Sequence, residues 1–128
     1  MAKKILKIVE TAYRGTLEEQ DDPVLWLAAT LKGNGADVDV LLRGNAVGYL
    51  VRGQDASGLS FGDRKQKQSP RIDDDVQRLI EKGVRVFYVE DDAGRRGIRH
   101  EELVEGVRAI GRSGLPELFD GYDHVWHW

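Results

Sequence analysis

The stretch VRVFYVEDDAGRRGI, Val84 to Ile98, changes character at a single point. Through Val89, apart from Arg85, it is a β-branched and aromatic run, the composition of a strand buried on both faces; from Glu90 it is charged and broken by glycine. A buried strand that ends abruptly in polar residues delivers them to the edge of a parallel sheet, where open α/β proteins hold ligands. The stretch contains no cysteine, and neither does the rest of the 128-residue chain. Thiol nucleophiles, thiolate metal ligands, disulfides and persulfide carriage are therefore excluded as its own chemistry.

Working upstream, Gly83 closes a predicted helix that opens at Ser69-Pro70, a capping serine and a first-turn proline. Ile72, Val76, Leu79 and Ile80 share one face of it. Asp73, Asp74 and Asp75 point in different directions around its positive end, so the helix dipole accounts for them without a metal. Before it, Gly53 to Ser69 has three glycines, the run Arg64-Lys65-Gln66-Lys67-Gln68 and only Leu59 and Phe61 to dock with. A mobile loop is expected over 53–69. Val38, Val40, Leu41 and Leu42 form a strand that ends at Arg43-Gly44-Asn45, followed by a helical turn over Ala46 to Val51. Another helix precedes that strand: Asp22-Pro23 offers a cap and first turn, and Val24, Leu27, Ala28 and Leu31 recur with helical spacing up to Gly33 or Gly35. Thr16 and Glu19 offer an earlier capping box. The first strand is placed at 4–11.

Downstream, Leu103, Val104, Val107 and Ile110 fit a helix face, while Val107 to Ile110 fits a short strand equally well. Leu115 to Phe119 suits a short helix, and Asp123 to Trp128 an aromatic strand. Strands alternating with helices close as parallel right-handed crossovers. The expected fold is a single α/β domain over 1–128, a three-layer α/β/α sandwich with a mostly parallel sheet of about five strands.

A chain of this length buries about two thirds of its unfolded surface without staples. Its net charge of -3, with 32% charged residues of both signs interspersed, gives no general attraction to nucleic acid. Lys7 and Glu10 interrupt any leader-like core, and no apolar run approaches the roughly 20 residues of a membrane helix. The expectation is a cytoplasmic protein with no membrane and no nucleic-acid partner.

The order of KILKIV (4–9), LKGNGADVDVLLRGNAV (31–47), EKGV (81–84), RRGI (95–98) and LPELFDGYDHVWHW (115–128) resembles the DsrE/DsrF-like family of small sulfur-metabolism proteins. The resemblance implies a parallel-sheet domain, assembly into homo- or hetero-oligomers, and a strand at Val107 to Ile110. In the best-understood members it also implies a cysteine after the third strand that passes persulfide sulfur to a partner. Measured back from Arg95-Arg96-Gly97-Ile98, that cysteine falls at or next to Val89, where this chain has Tyr88-Val89-Glu90.

The strand ends supply the candidate ligand-binding residues: Thr11, Tyr13 and Arg14 after the first, Arg43 and Asn45 after the second, Tyr88, Val89, Glu90, Asp91 and Asp92 at the third. Arg95 and Arg96, between Gly94 and Gly97, add a candidate anion contact. These residues fit a small anionic ligand or a protein partner of sulfur metabolism, within a homo-oligomer. Two alternatives stand beside that reading. One is an acid–base enzyme using Glu90, Asp91 or Asp92 with Arg14 or Arg43; the other is a non-catalytic subunit completing a hetero-oligomer. Neither a phosphate-cradling glycine loop nor a nucleophile elbow is present. His100, His124 and His127 lack the spacing of a helical metal pair, so no metal and no cofactor are expected.

Overall fold

The computed structural model describes residues 3–13 and 23–127. Arg14, Thr16, Glu19, Asp22 and Trp128 lie outside them. β1 (Lys4–Val9) is followed by α1 (Pro23–Gly33) and β2 (Asp37–Leu42), and a 3-10 segment over Gly44–Leu50 covers the sheet end. A hairpin of β3 (Ser60–Phe61) and β4 (Arg64–Lys65) precedes α2 (Ile72–Glu81), β5 (Val86–Val89) and α3 (Glu90–Arg95). After a 3-10 turn at His100–Glu102 come β6 (Arg108–Ile110), a second turn at Arg112–Gly114, α4 (Leu115–Asp120) and β7 (His124–His127). The main sheet has five strands in the order β6-β5-β2-β1-β7, with every neighbouring pair parallel.

Strand alternation sorts the core onto two sides of this sheet. Val9, Val40, Leu42, Val86 and Tyr88 pack with Leu25 and Ala28 of α1 and Val76 and Leu79 of α2. Leu6, Ile8, Leu41 and Val89 pack on the other side, against Leu115, Leu118 and Phe119 of α4. Each such fully buried side chain contributes about 1.5–3 kcal/mol relative to exposure. Helices therefore cover both faces, as the three-layer reading requires.

The faces follow from the direction of travel. From β1 through β2 and β5 to β6 the chain moves steadily towards one edge, and right-handed crossovers keep α1 and α2 on one side. The connection from β6 to β7 runs back across the sheet, so the same handedness puts α4 on the opposite side. A crevice must open between the ends of β5 and β6, where outgoing connections part to opposite faces.

Several local expectations are revised. β1 ends at Val9, because the chain bends away at Thr11. α2 starts at Ile72 after an uncapped Arg71; Ser69 Oγ instead lies 3.4 Å from Gln66 Oε1, and Pro70 is buried. Asp73 accepts the Gly53 N–H at 2.9 Å, while Asp74 and Asp75 pair with Arg71 and Arg78. Within 53–69 the glycine at Gly62, with φ of 58°, permits the tight turn of the β3–β4 hairpin, leaving Phe61 64% exposed. The buried face of α1 runs through Leu25 and Ala28, rotated from the expected Leu27 and Leu31, which are half-buried. Gly106, with φ of 96°, breaks helical continuity before β6, which settles Arg108–Ile110 as strand.

Two buried polar residues stand in the sheet itself. Asp39 of β2, 2% exposed, accepts bonds from Arg85 N at 2.9 Å, Arg85 Nη2 at 2.8 Å and the Tyr122 hydroxyl at 2.6 Å. Burial and the bond to Asp39 push the Tyr122 hydroxyl far above its usual value. Lys7 of β1, 3% exposed, sits among Val24, Leu27, Ala28, Leu31 and Trp126, and burial lowers its pKa to about 8.

Candidate functional site

The crevice is present as a cavity of about 820 Å³. Four guanidinium groups, those of Arg43, Arg95, Arg96 and Arg112, line it against two carboxylates, Glu10 and Asp92, with Val89 and Leu115 as apolar surface. The lining comes from several elements: Glu10 follows β1, Arg43, Gly44 and Asn45 follow β2, Asp92 and Arg95 belong to α3 with Arg96 at its C-terminal cap, and Arg112 begins the turn before α4.

Asp92 organises the cavity wall. Its Oδ2 accepts the Gly44 N–H at 2.8 Å and its Oδ1 accepts Arg112 Nη2 at 2.5 Å, so one carboxylate joins the ends of β2, β5 and β6. Gly44 makes this possible with φ of 59°, a conformation that a side chain would strain. Burial pushes the Asp92 carboxyl upwards, but the Gly44 N–H, the Arg112 bond and the charges of Arg112 and Arg96 outweigh it and hold it below the ordinary carboxylate value. Asp92 is thus an ion-paired anion, not a poised proton donor.

The arginines are used unequally. Arg96 grips Asn45 Oδ1 through Nε at 3.1 Å and Nη2 at 2.8 Å, and its Nη1 donates to the Asp92 carbonyl at 3.0 Å. It is a brace between α3 and the segment after β2. Arg43 Nε stands 3.4 Å from Glu10 Oε1, and the other Glu10 oxygen is 2.7 Å from His127 Nε2. Arg95 has no hydrogen-bonding or ion-pairing partner among the described residues. Arg95, and the N–H groups of Arg43 and Arg112 not used by Glu10 and Asp92, are the donors left to meet a ligand.

The structure divides the candidate residues. Arg43, Asn45, Val89, Asp92, Arg95 and Arg96 come together around the cavity. Tyr13 lines a neighbouring cavity of about 230 Å³, and Thr11 lines neither. Tyr88 points to the opposite face of the sheet from Val89, where its hydroxyl meets His100 Nδ1 at 2.7 Å; burial, with the charge of Glu90, raises its pKa. Glu90 and Asp91 turn towards the connection before α4, Asp91 Oδ1 accepting the Arg112 backbone N–H at 2.8 Å. Arg14 falls outside the described residues. Glu10, Arg112 and Leu115 belong to the cavity and were not among the candidates. Among the described residues no group of three acidic, histidine or cysteine side chains is positioned to hold a metal ion. No helix among them is long and apolar enough to cross a membrane.

The sequence matches the model of the DsrE/DsrF-like family over residues 3–127. No functionally curated protein matches it. Among solved structures, the ychN protein from E. coli superposes with a TM-score of 0.73 at 23% identity, covering 98% of this chain and 99% of that one. A protein of unknown function from Bacteroides thetaiotaomicron, BT1422, gives 0.67 at 12% identity over 98% and 95% of the two chains. MTH1491 from Methanobacterium thermoautotrophicum, also of unknown function, gives 0.57 at 18% identity over 98% and 99%. At these identities the likeness is one of fold.

Proposed function

We propose that this chain, which belongs to the DsrE/DsrF-like family, is a non-covalent binding member of it, taking a small anionic ligand into the arginine-lined cavity. One observation carries the reading: among the described residues four guanidinium groups and two carboxylates line a concave site, in a chain whose net charge is -3. Both carboxylates are already paired within the site, to Arg43 and Arg112. An oxyanion or carboxylate would accept hydrogen bonds from Arg95 and the remaining N–H groups of Arg43 and Arg112, the forked geometry in which arginine recognises such groups. With no cysteine in the chain, the protein cannot hold persulfide on a thiol of its own. At the position where the family resemblance puts the thiol, Val89 offers the cavity an apolar surface. We further read the chain as a single cytoplasmic domain that assembles as a homo-oligomer and meets a protein partner of sulfur metabolism.

Isothermal titration calorimetry with phosphate, sulfate and thiosulfate at constant ionic strength tests the ligand class. Saturable binding is expected, weakened about tenfold or more, or ~1.4 kcal/mol, by Arg95→Ala combined with Arg112→Gln. Absence of saturable heat from every anion would remove this reading.

A further inference from the structure

The arginine-lined cavity has a neighbour of different chemistry. The second cavity, of about 230 Å³, is lined by Tyr13, Tyr49, Pro70 and Ile72 with the backbone beyond β2, and no arginine or lysine among the described residues lines it. Asn45 lines both cavities. The Arg96 fork holds the Asn45 carbonyl oxygen, which leaves the amide N–H groups as donors at the junction. Tyr13 and Tyr49 meet edge to face, centroids 6.3 Å apart at 85°, so the Tyr49 ring is fixed by packing and Tyr13 stands half-buried beside it.

Resting on the anion reading above, we propose that one ligand spans both cavities: an oxyanion ester or acid with a single aromatic ring, its charged end among Arg95 and Arg112 and its ring against Tyr13 and Tyr49. Size sets the body. A cavity of about 150 Å³ with apolar walls accommodates benzene, so 230 Å³ takes one ring with its linking atoms. Charge sets the direction. The second cavity carries the Asp55 carboxylate, which the Ser57 hydroxyl and N–H hold below its usual pKa, so a negative group is disfavoured there and favoured among the arginines. Aromatic faces beside apolar side chains recognise a flat ring, typically by ~0.5–1.5 kcal/mol beyond area burial.

Calorimetric titration of phenyl phosphate, phenyl sulfate, methyl phosphate and methyl sulfate tests this, the two ester series showing which oxyanion is preferred. The phenyl ester of the preferred oxyanion should bind about tenfold tighter than its methyl ester. Tyr13→Ala should abolish that advantage while leaving methyl ester binding unchanged, and Arg112→Gln should weaken both. Intermolecular nuclear Overhauser effects from the phenyl protons to the Tyr13 and Tyr49 rings give a readout that needs no variant. Equal affinity for phenyl and methyl esters, or a phenyl advantage that survives Tyr13→Ala, overturns the two-cavity ligand and leaves the anion site standing. Absence of binding by all four esters and by inorganic anions overturns both.

Discussion

Replacing Asp92 with asparagine should lower stability and strengthen anion binding at once, because the carboxylate both fastens the cavity wall and competes with a ligand for Arg112. Asp92 is 7% exposed, and its two oxygens accept from Gly44 N and Arg112 Nη2. Asparagine keeps one acceptor oxygen and replaces the other by a donor. It either points an amide N–H at the Arg112 cation or leaves the Gly44 N–H unpaired. An unpaired buried group costs about 1–3 kcal/mol. The Arg112 side chain is 51% exposed and recovers water, so loss of the ion pair adds only about 0–1 kcal/mol. The expected loss of about 2 kcal/mol corresponds to a fall in Tm of roughly 8 °C for a domain of this size, measured by calorimetry in chloride buffer free of oxyanions.

Affinity should move the other way. A like charge a few ångströms from a bound anion opposes it by roughly 1 kcal/mol or more, so phosphate should bind about three- to tenfold tighter to Asp92→Asn. Acid extends the same logic. A carboxyl held below its ordinary pKa contributes stability above the unfolded value of about 3.9 and loses it as pH falls through the folded pKa. The variant should therefore lose less stability than the parent below about pH 4. A Tm within about 1 °C of the parent would show that Asp92 does not fasten the wall. Weaker phosphate binding would show that the carboxylate does not compete with an anion.

Asp39→Ala should cost about 3 kcal/mol, at the low end for a broken buried pair because the Arg85 guanidinium is 43% exposed and rehydrates. Urea unfolding should show the lower midpoint with an unchanged slope; an unchanged midpoint would mean that the Arg85–Asp39–Tyr122 network is dispensable. Lys7, lowered from 10.5 to about 8, binds fewer protons folded than unfolded between those values, so it makes stability rise with pH across that window. Lys7→Met should flatten the rise between pH 8 and 10 relative to the parent; identical pH profiles would refute the assignment. Tyr88 and Tyr122, both raised, oppose the rise above about pH 10 in parent and variant alike.

The sheet was legible because its signals are local. Apolar β-branched runs ending in glycine, asparagine or charge mark β2 and β5 directly, and helical spacing marks α2. What failed was geometry carried by one or two residues. Ser69-Pro70 has the composition of a helix start, yet Pro70 is buried ahead of the helix and the serine faces Gln66. Tyr88 and Val89 adjoin in the sequence as candidates for one site, although alternation alone sends neighbouring strand residues to opposite faces, and Tyr88 duly meets His100. Glu10 reads as a charge that interrupts an apolar run. Arg112 could not be linked to Asp92, twenty positions earlier, without knowing that the chain reverses direction after β6 and puts the next connection on the other side of the crevice.

That reversal also underlies the proposed anion site. It brings Arg112 into the same cavity as Arg43, Arg95 and Arg96, and like charges gathered in a concave wall repel, the more so where water is partly excluded. Asp92 relieves Arg112 and Glu10 relieves Arg43, while the hydrogen bonds of Arg96 among the described residues go to the neutral oxygens of Asn45 and the Asp92 backbone. Arg95 adds a further charge with no partner among the described residues. An anion that enters gains the attraction that the protein's own carboxylates leave unspent, and it stabilises the fold by RT ln(1 + [L]/Kd). Val89 offers such an anion no thiol to bond with. Tm should accordingly climb with the logarithm of oxyanion concentration and return to its starting value on extended dialysis, whereas a shift that persists would refute reversible, non-covalent binding.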